Sequence, residues 1–192
     1  MKLEKEITVK VNCDYKTLDA KLTSKGFVIK EEYEINDNYL IDSKLNLKKM
    51  SNLEILSKCI LIRDIVGIEK ELLYKYKKYD ANGNILKQGK VKCPVLDTKN
   101  ALEFMNMIGY KSLFKIYDKC IVYCSNKTEL VIQLVNNKYI FIEMEDEPEY
   151  ISKKYKDIKD MINELDEYDL PYEKGNYFVK KAEIILDEDV NK

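Results

Sequence analysis

The stretch KYIFIEMEDE, residues 138–147, alternates like a β-strand but puts glutamates where a strand would usually vary. Ile140, Ile142 and Met144 fall on one face of an extended chain. Phe141, Glu143, Glu145 and Glu147 fall on the other. Side chains two apart on a strand sit roughly 6–7 Å from each other. Two carboxylates at that distance repel by about 2–3 kcal/mol at an effective dielectric near 20. A solvated face screens that repulsion, whereas an enclosed face needs cations beside it. The other strands decide which of the two this face is.

Strand-like runs cover most of the chain, at about 3–12, 27–35, 37–42, 59–66, 70–79, 85–95, 112–124, 128–135 and 138–146. DANGN at 80–84 and NNK at 136–138 have the composition of hairpin turns. Parity sorts the charges. Glu4, Glu6, Thr8 and Lys10 oppose Ile7, Val9 and Val11, and Arg63 lies with Leu61 opposite Ile60 and Ile62. Lys75 and Lys77 oppose Tyr74 and Tyr76, while Lys115, Tyr117 and Lys119 alternate with Phe114 and Ile116. Glu129 and Gln133 oppose Leu130, Ile132 and Leu134. Several strands therefore have one charged and one apolar face.

Three helices are expected. Asp14 N-caps YKTLDAKLTSK with Gly26 as its stop, and Asp97 N-caps TKNALEFMNMI with Gly109 as its stop. After each stop come an aromatic and a long strand, a weak internal duplication. A third helix starts at Pro148 and places Ile151, Tyr155, Ile158, Ile162 and Leu165 at helical spacing. Many strands with few helices give an α+β protein on a large curved or closed antiparallel sheet. Residues 168–192 fit no single reading.

Composition bounds the chemistry. With 192 residues, one sizeable core is the better expectation. The net charge of −1 sets up no global field for nucleic acid or an anionic membrane. Five cysteines without a CxxC read as reduced thiols of a cytoplasmic protein. The start MKLEKEITVK has no signal-peptide core, and nowhere do 18 apolar residues run together. The chain has no histidine, which excludes Ser-His-Asp and Cys-His catalysis and His-ligated zinc.

Two readings of the charged faces stand side by side. In one, the apolar faces pack on helices and the charged faces meet water. In the other, the charged faces line a lumen, with lysines for phosphate oxygens and carboxylates for hard divalent cations. Arg63 bears on the choice, because it is the lone arginine among 33 basic residues. A planar fork that grips an anion bidentately is a reason to keep arginine there, and pairing with Asp64 is the simpler alternative.

The pattern resembles the CYTH family, the triphosphate tunnel metalloenzymes, which include thiamine triphosphatases, tripolyphosphatases and class IV adenylyl cyclases. The family's opening ExExK is matched by EITVK, with Glu6 and Lys10 kept and Thr8 at the second acidic position. Its D-x-Y-[FL] element is similar to DNYL (Asp37, Tyr39), and its RxR strand to LIRDI, with Leu61 in place of one arginine. LYKYK (Lys75 or Lys77) and KIYDK (Lys115, Lys119) resemble its lysine-bearing strands, and FIEMEDE its final E-x-E. Gln133 stands where an acidic residue is usual, and Lys90 and Lys92 stand where another would be. NYFVKKA is weakly similar to the family's closing segment.

The resemblance implies a single domain over 1–192. Barrel strands would span about 3–147, followed by a helix at about 148–167 and a closing segment at 174–187. It implies an antiparallel, closed or nearly closed barrel of about eight strands around a polar tunnel, with helices outside. Arg63, Lys10, Lys75, Lys77, Lys115 and Lys119 would bind phosphate. Glu6, Glu143 and Glu145 would hold Mg²⁺ or Mn²⁺ and serve catalysis. The expected activity is metal-dependent triphosphate hydrolysis. The alternative is binding of a phosphorylated ligand without turnover, and cyclisation of ATP ranks behind both. The expected partner is a triphosphate-bearing small molecule, with no nucleic acid and no membrane.

Overall fold

The computed structural model describes residues 3–79 and 85–190, with side chains described for 5–76 and 89–188. The expected turn at 80–84 and the side chain of Lys77 lie outside the described residues. Among the described residues there are eight longer strands and one two-residue strand. They are β1 (Leu3–Glu4), β2 (Glu6–Lys10), β3 (Val28–Asp42), β4 (Ile60–Ile65) and β5 (Glu69–Tyr79). β6 (Ile85–Pro94), β7 (Tyr110–Cys124), β8 (Glu129–Val135) and β9 (Tyr139–Glu145) follow. The helices are α1 (Tyr15–Ser24), α2 (Asn52–Ser57), α3 (Thr98–Met107), α4 (Ile158–Glu167) and α5 (Lys181–Val190). The fold class is α+β, as expected. Among the described residues no helix is long and apolar enough to cross a membrane.

The chain packs as two compact units, one of Met1–Leu3, Glu34–Tyr117 and Lys180–Lys192, the other of Glu4–Tyr33 and Asp118–Val179. β3 and β7 contribute to both. In the second unit the order is β3-β7-β8-β9-β2, and the β7-β8, β8-β9 and β9-β2 ladders are antiparallel. One face of this sheet is apolar. Ile7, Val9, Ile121, Tyr123, Leu130, Ile132, Ile142 and Met144 are buried with Leu18 and Leu22 of α1 and Met161 and Leu165 of α4. Removing several such side chains from water is the main force fixing this parity. A one-residue slip of β9 would put Glu143 and Glu145 into that core. The outer edge of β2 is covered by the segment after α4: Thr8 N donates to Tyr177 O and Val179 N to Thr8 O, both at 3.0 Å.

In the first unit the order is β6-β5-β4-β3-β7. Leu40 of β3 and Ile62 of β4 pack under Ala101 and Met105 of α3. α1 and α3 begin at Asp14 and Asp97, whose carboxylates accept from Thr17 N (2.8 Å) and Asn100 N (2.7 Å). Both helices end where expected, at Gly26 (φ 85°) and Gly109 (φ 97°).

Three boundaries differ from expectation. The first strand is interrupted at Lys5, so 3–12 resolves into β1 and β2. The runs 27–35 and 37–42 are one strand, because Asn36, Asp37 and Asn38 continue the ladder opposite Asp64, Arg63 and Ile62. The third helix starts at Ile158, ten residues after Pro148, because Asp157 caps it through Asp160 N at 3.0 Å. The chain before it is held instead by Glu129, whose carboxylate accepts from Glu149 N (3.1 Å) and Tyr150 N (2.6 Å). Two helices were not anticipated: α2, with a Ser51–Glu54 capping box, and α5, which takes up much of the expected closing segment.

Candidate metal and phosphate site

The face of the second unit turned away from its core carries the polar row. On the β2-β9 ladder Glu6 stands opposite Glu145, Thr8 opposite Glu143 and Lys10 opposite Phe141. Phe141 is opposite Gln133 on β8, and Gln133 opposite Cys120 on β7. Directly opposed residues share a face. One carboxylate oxygen from each of Glu6, Glu143 and Glu145 lies within 4.8 Å of the others. Glu6 and Glu143 are half-buried and Glu145 is exposed. The expected acidic wall is therefore assembled from two neighbouring strands.

The donor set fits a hard cation. Mg²⁺ or Mn²⁺ bound at roughly 2.1 Å holds neighbouring oxygens about 3 Å apart, and opposed ones about 4 Å apart. One oxygen from each of the three glutamates, all within 4.8 Å of one another, lies close to that spacing. The set offers oxygen and no imidazole, which favours Mg²⁺ or Mn²⁺ over zinc. Thr8 and Gln133, 6% and 5% exposed, complete the row as neutral oxygens.

Tyr33 was missed by sequence reasoning. Burial first, then the nearness of Cys120, Glu143 and Glu145, raises its hydroxyl pKa far above the ordinary value. Tyr33 is thus a neutral hydroxyl near the carboxylates, with Cys120 as its hydrogen-bond partner. The signal was present in the sequence: Tyr33 has the parity of Asp37 and Tyr39, visible once β3 is one strand. Lys10 reaches Glu173 at 3.3 Å and lies 5.6 Å from the Tyr139 ring centroid.

Lys119 does not join this row. It stands opposite Leu134, which in turn opposes Ile140, on the sheet's other face, and it pairs with Glu32 at 2.7 Å. Asp118, Cys120 and Val122 occupy the row instead. Lys115, with the parity of Lys119 on β7, is exposed, whereas Phe114 and Ile116 between and beside these positions are buried.

The first unit has its own charged row. Asp37, Arg63 and Glu71 stand opposite one another across β3, β4 and β5, and Tyr39, Leu61 and Leu73 form the next rank. Arg63 Nε and one Nη donate to the two Asp37 oxygens at 2.8 and 2.7 Å. Its partner is Asp37, not the adjacent Asp64. Burial alone would raise the Asp37 carboxyl, but Arg63, helped by Lys75 and Lys181, holds it below the ordinary carboxylate range. Glu71 is 2% exposed, with Oε2 at 3.3 Å from Lys92 Nζ and no hydrogen-bond partner for Oε1 among the described residues. Lys75 faces Lys90 across β5-β6, and Lys77 faces Gln88 by register. Tyr39 stacks on Phe114 with centroids 4.4 Å apart.

No family model matches the chain, and no curated protein matches it. Solved structures do. The PH1012 protein from Pyrococcus horikoshii is 17% identical with a TM-score of 0.65, covering 94% of this chain and 98% of that one. A proposed adenylate cyclase from Vibrio parahaemolyticus is 10% identical at TM-score 0.62, covering 97% and 98%. HpAC1 from Hippeastrum, a proposed adenylyl cyclase with a dominant triphosphatase activity, is 12% identical at TM-score 0.65, covering 96% of each chain. At such identities the likeness concerns the backbone alone. The chain has the fold of the CYTH proteins, the triphosphate tunnel metalloenzymes.

Proposed function

We propose that the carboxylates Glu6, Glu143 and Glu145 hold Mg²⁺ or Mn²⁺, and that this centre binds a triphosphate-bearing small molecule and hydrolyses it. The observation that supports this most is the convergence of the three carboxylates within 4.8 Å from β2 and β9. The activity named for HpAC1, of like fold, points the same way. A bound cation would neutralise phosphate oxygens and acidify an attacking water. Lys10 supplies a positive charge on the same face and next along β2 from Thr8. Tyr33, kept protonated by burial and by the nearby Cys120 and Glu143, adds no negative charge to the site. No protein nucleophile is needed, and catalysis is positioning with electrostatic stabilisation of the transferring phosphoryl group.

A second reading, binding without turnover, is favoured by Thr8 and Gln133. Both are buried and uncharged in the row that holds the cation ligands, and neutral oxygens bind a divalent ion less firmly than carboxylates do. Calorimetry of Mn²⁺ and tripolyphosphate, with phosphate release measured in parallel, separates the two. Release supports hydrolysis, and binding without release supports the second reading. Glu143→Gln with Glu145→Gln should abolish the Mn²⁺ heat while the circular dichroism spectrum stays unchanged. A Mn²⁺ response equal to that of the parent protein would remove these residues from the site.

A further inference from the structure

The first unit contains a cavity of about 530 Å³ that the carboxylate centre does not use. Tyr74, Tyr76 and Tyr110 line it together with Lys58, Lys75 and Asp42. Its volume is in the range of small-molecule sites. Tyr74 and Tyr76 are two apart on β5 and so share a face, with their side chains rooted roughly 6–7 Å from each other. That separation is about twice the thickness of an aromatic ring, enough for a planar group to enter between two rings.

Both tyrosines are more than a third exposed, at 39% and 37%, which is unusual for neighbouring aromatics on one strand face. Tyr74 is anchored, because its hydroxyl donates to the Ser57 carbonyl at the end of α2 at 3.2 Å. Tyr76 stands opposite Gly89 on β6, which has no side chain to set against its ring. Asp42 lines the cavity, and its Oδ1 accepts from Lys44 N at 2.9 Å, which orients the carboxylate. Lys58 adds a cation at the rim.

We infer that this cavity takes the base of a nucleotide, specifically a base bearing an exocyclic amino group. The rings of Tyr74 and Tyr76 stack on it, the Asp42 carboxylate accepts from its amino group, and Lys58 meets its phosphate. Stacking on tyrosine tolerates any base, whereas a carboxylate acceptor selects those that can donate. None of its lining residues is one of the three glutamates, so its binding can be read without divalent cation.

The test is chemical-shift mapping and calorimetry of the full chain in chelator, with adenosine, inosine, AMP and tripolyphosphate as probes. Adenosine should bind at millimolar concentration and shift Tyr74 and Tyr76, and AMP should bind more tightly. Inosine, which lacks the amino group, should bind about tenfold more weakly or worse. Tyr76→Leu should weaken adenosine by about tenfold, and Asp42→Asn, which can keep the bond to Lys44 N, should remove the preference over inosine. Tyr74→Phe retains the ring and should retain binding. Absence of adenosine and AMP binding overturns the inference. So does equal affinity for inosine, or undiminished binding by a folded Tyr76→Leu protein. Loss of phosphate release in Glu143→Gln with adenosine binding preserved would leave this site standing apart from the proposed hydrolysis.

Discussion

Asp37→Asn should be among the most damaging single substitutions in the first unit. The Asp37 and Arg63 side chains are 7% and 14% exposed and share two hydrogen bonds. Asparagine has nearly the same shape but takes away the carboxylate that is hydrogen-bonded to the buried guanidinium, leaving Glu71 as its remaining acidic neighbour. Breaking one partner of such a pair costs about 3–5 kcal/mol, and the low exposure leaves little solvent screening to discount. For a chain of this size that is a loss of roughly 6–20 °C in melting temperature. The companion variant, Asp37→Leu with Arg63→Met, removes both charges and should recover most of the loss.

The pH dependence fixes the cause. The folded Asp37 pKa is lowered, so its stabilisation is present above the unfolded value of about 3.9 and is lost as pH falls through the lower folded value. Urea unfolding of parent and variant should differ by a constant amount from neutral pH down to about 5. The gap should close only below about 4. A loss under about 1 kcal/mol at neutral pH, or a gap that persists in strong acid, would refute the account of a buried, charge-coupled pair.

Other substitutions probe the second unit's row and the packing beneath the first. Thr8→Glu places a fourth carboxylate opposite Glu143, so it should lower stability in chelator and tighten Mn²⁺ binding, both read by thermal melts with and without metal. Lys10→Ala should weaken tripolyphosphate binding by several-fold in calorimetry. Lys119→Ala, on the other face and paired with Glu32, should leave it unchanged and cost under about 1 kcal/mol. Phe114→Ala empties a 5%-exposed site and removes the stack on Tyr39, which should cost about 3–5 kcal/mol in urea unfolding.

Parity on β2, β8 and β9 was readable from the chain because each has an apolar row that helices or neighbouring strands bury. Ile7 and Val9, or Ile142 and Met144, could face nothing but a core, and this assigned the glutamates to the other side. β7 defeats that logic. Its two rows are both largely buried from Cys120 to Cys124, so apolar character no longer marks a single inner face. Lys115 and Lys119 then look like the polar row, although Lys119 shares its face with Leu134 and Ile140. The third helix failed for a related reason. Ile151 and Tyr155 have helical spacing with Ile158, but Tyr155 N bonds to Asp146 O at 3.1 Å in an irregular segment, and spacing alone does not report such tertiary bonds.

Arg63 shows what composition can and cannot reveal. In a lysine-rich chain a lone arginine signalled a need for a planar bidentate donor, and the structure has one. What composition left open was the partner, because Asp37 lies 26 positions away and joins Arg63 only through the β3-β4 register. The same distinction applies to the three glutamates. Packing of Ile7, Val9, Ile142 and Met144 fixes where Glu6, Glu143 and Glu145 point, yet nothing in that packing requires them to be acidic. Glutamine would satisfy the same backbone with less repulsion, since two unit charges 4.8 Å apart interact by about 3 kcal/mol at an effective dielectric of 20. A hard divalent cation held between the three would offset that repulsion, which is what the Mn²⁺ titration of the parent and of the Glu143→Gln, Glu145→Gln protein reads.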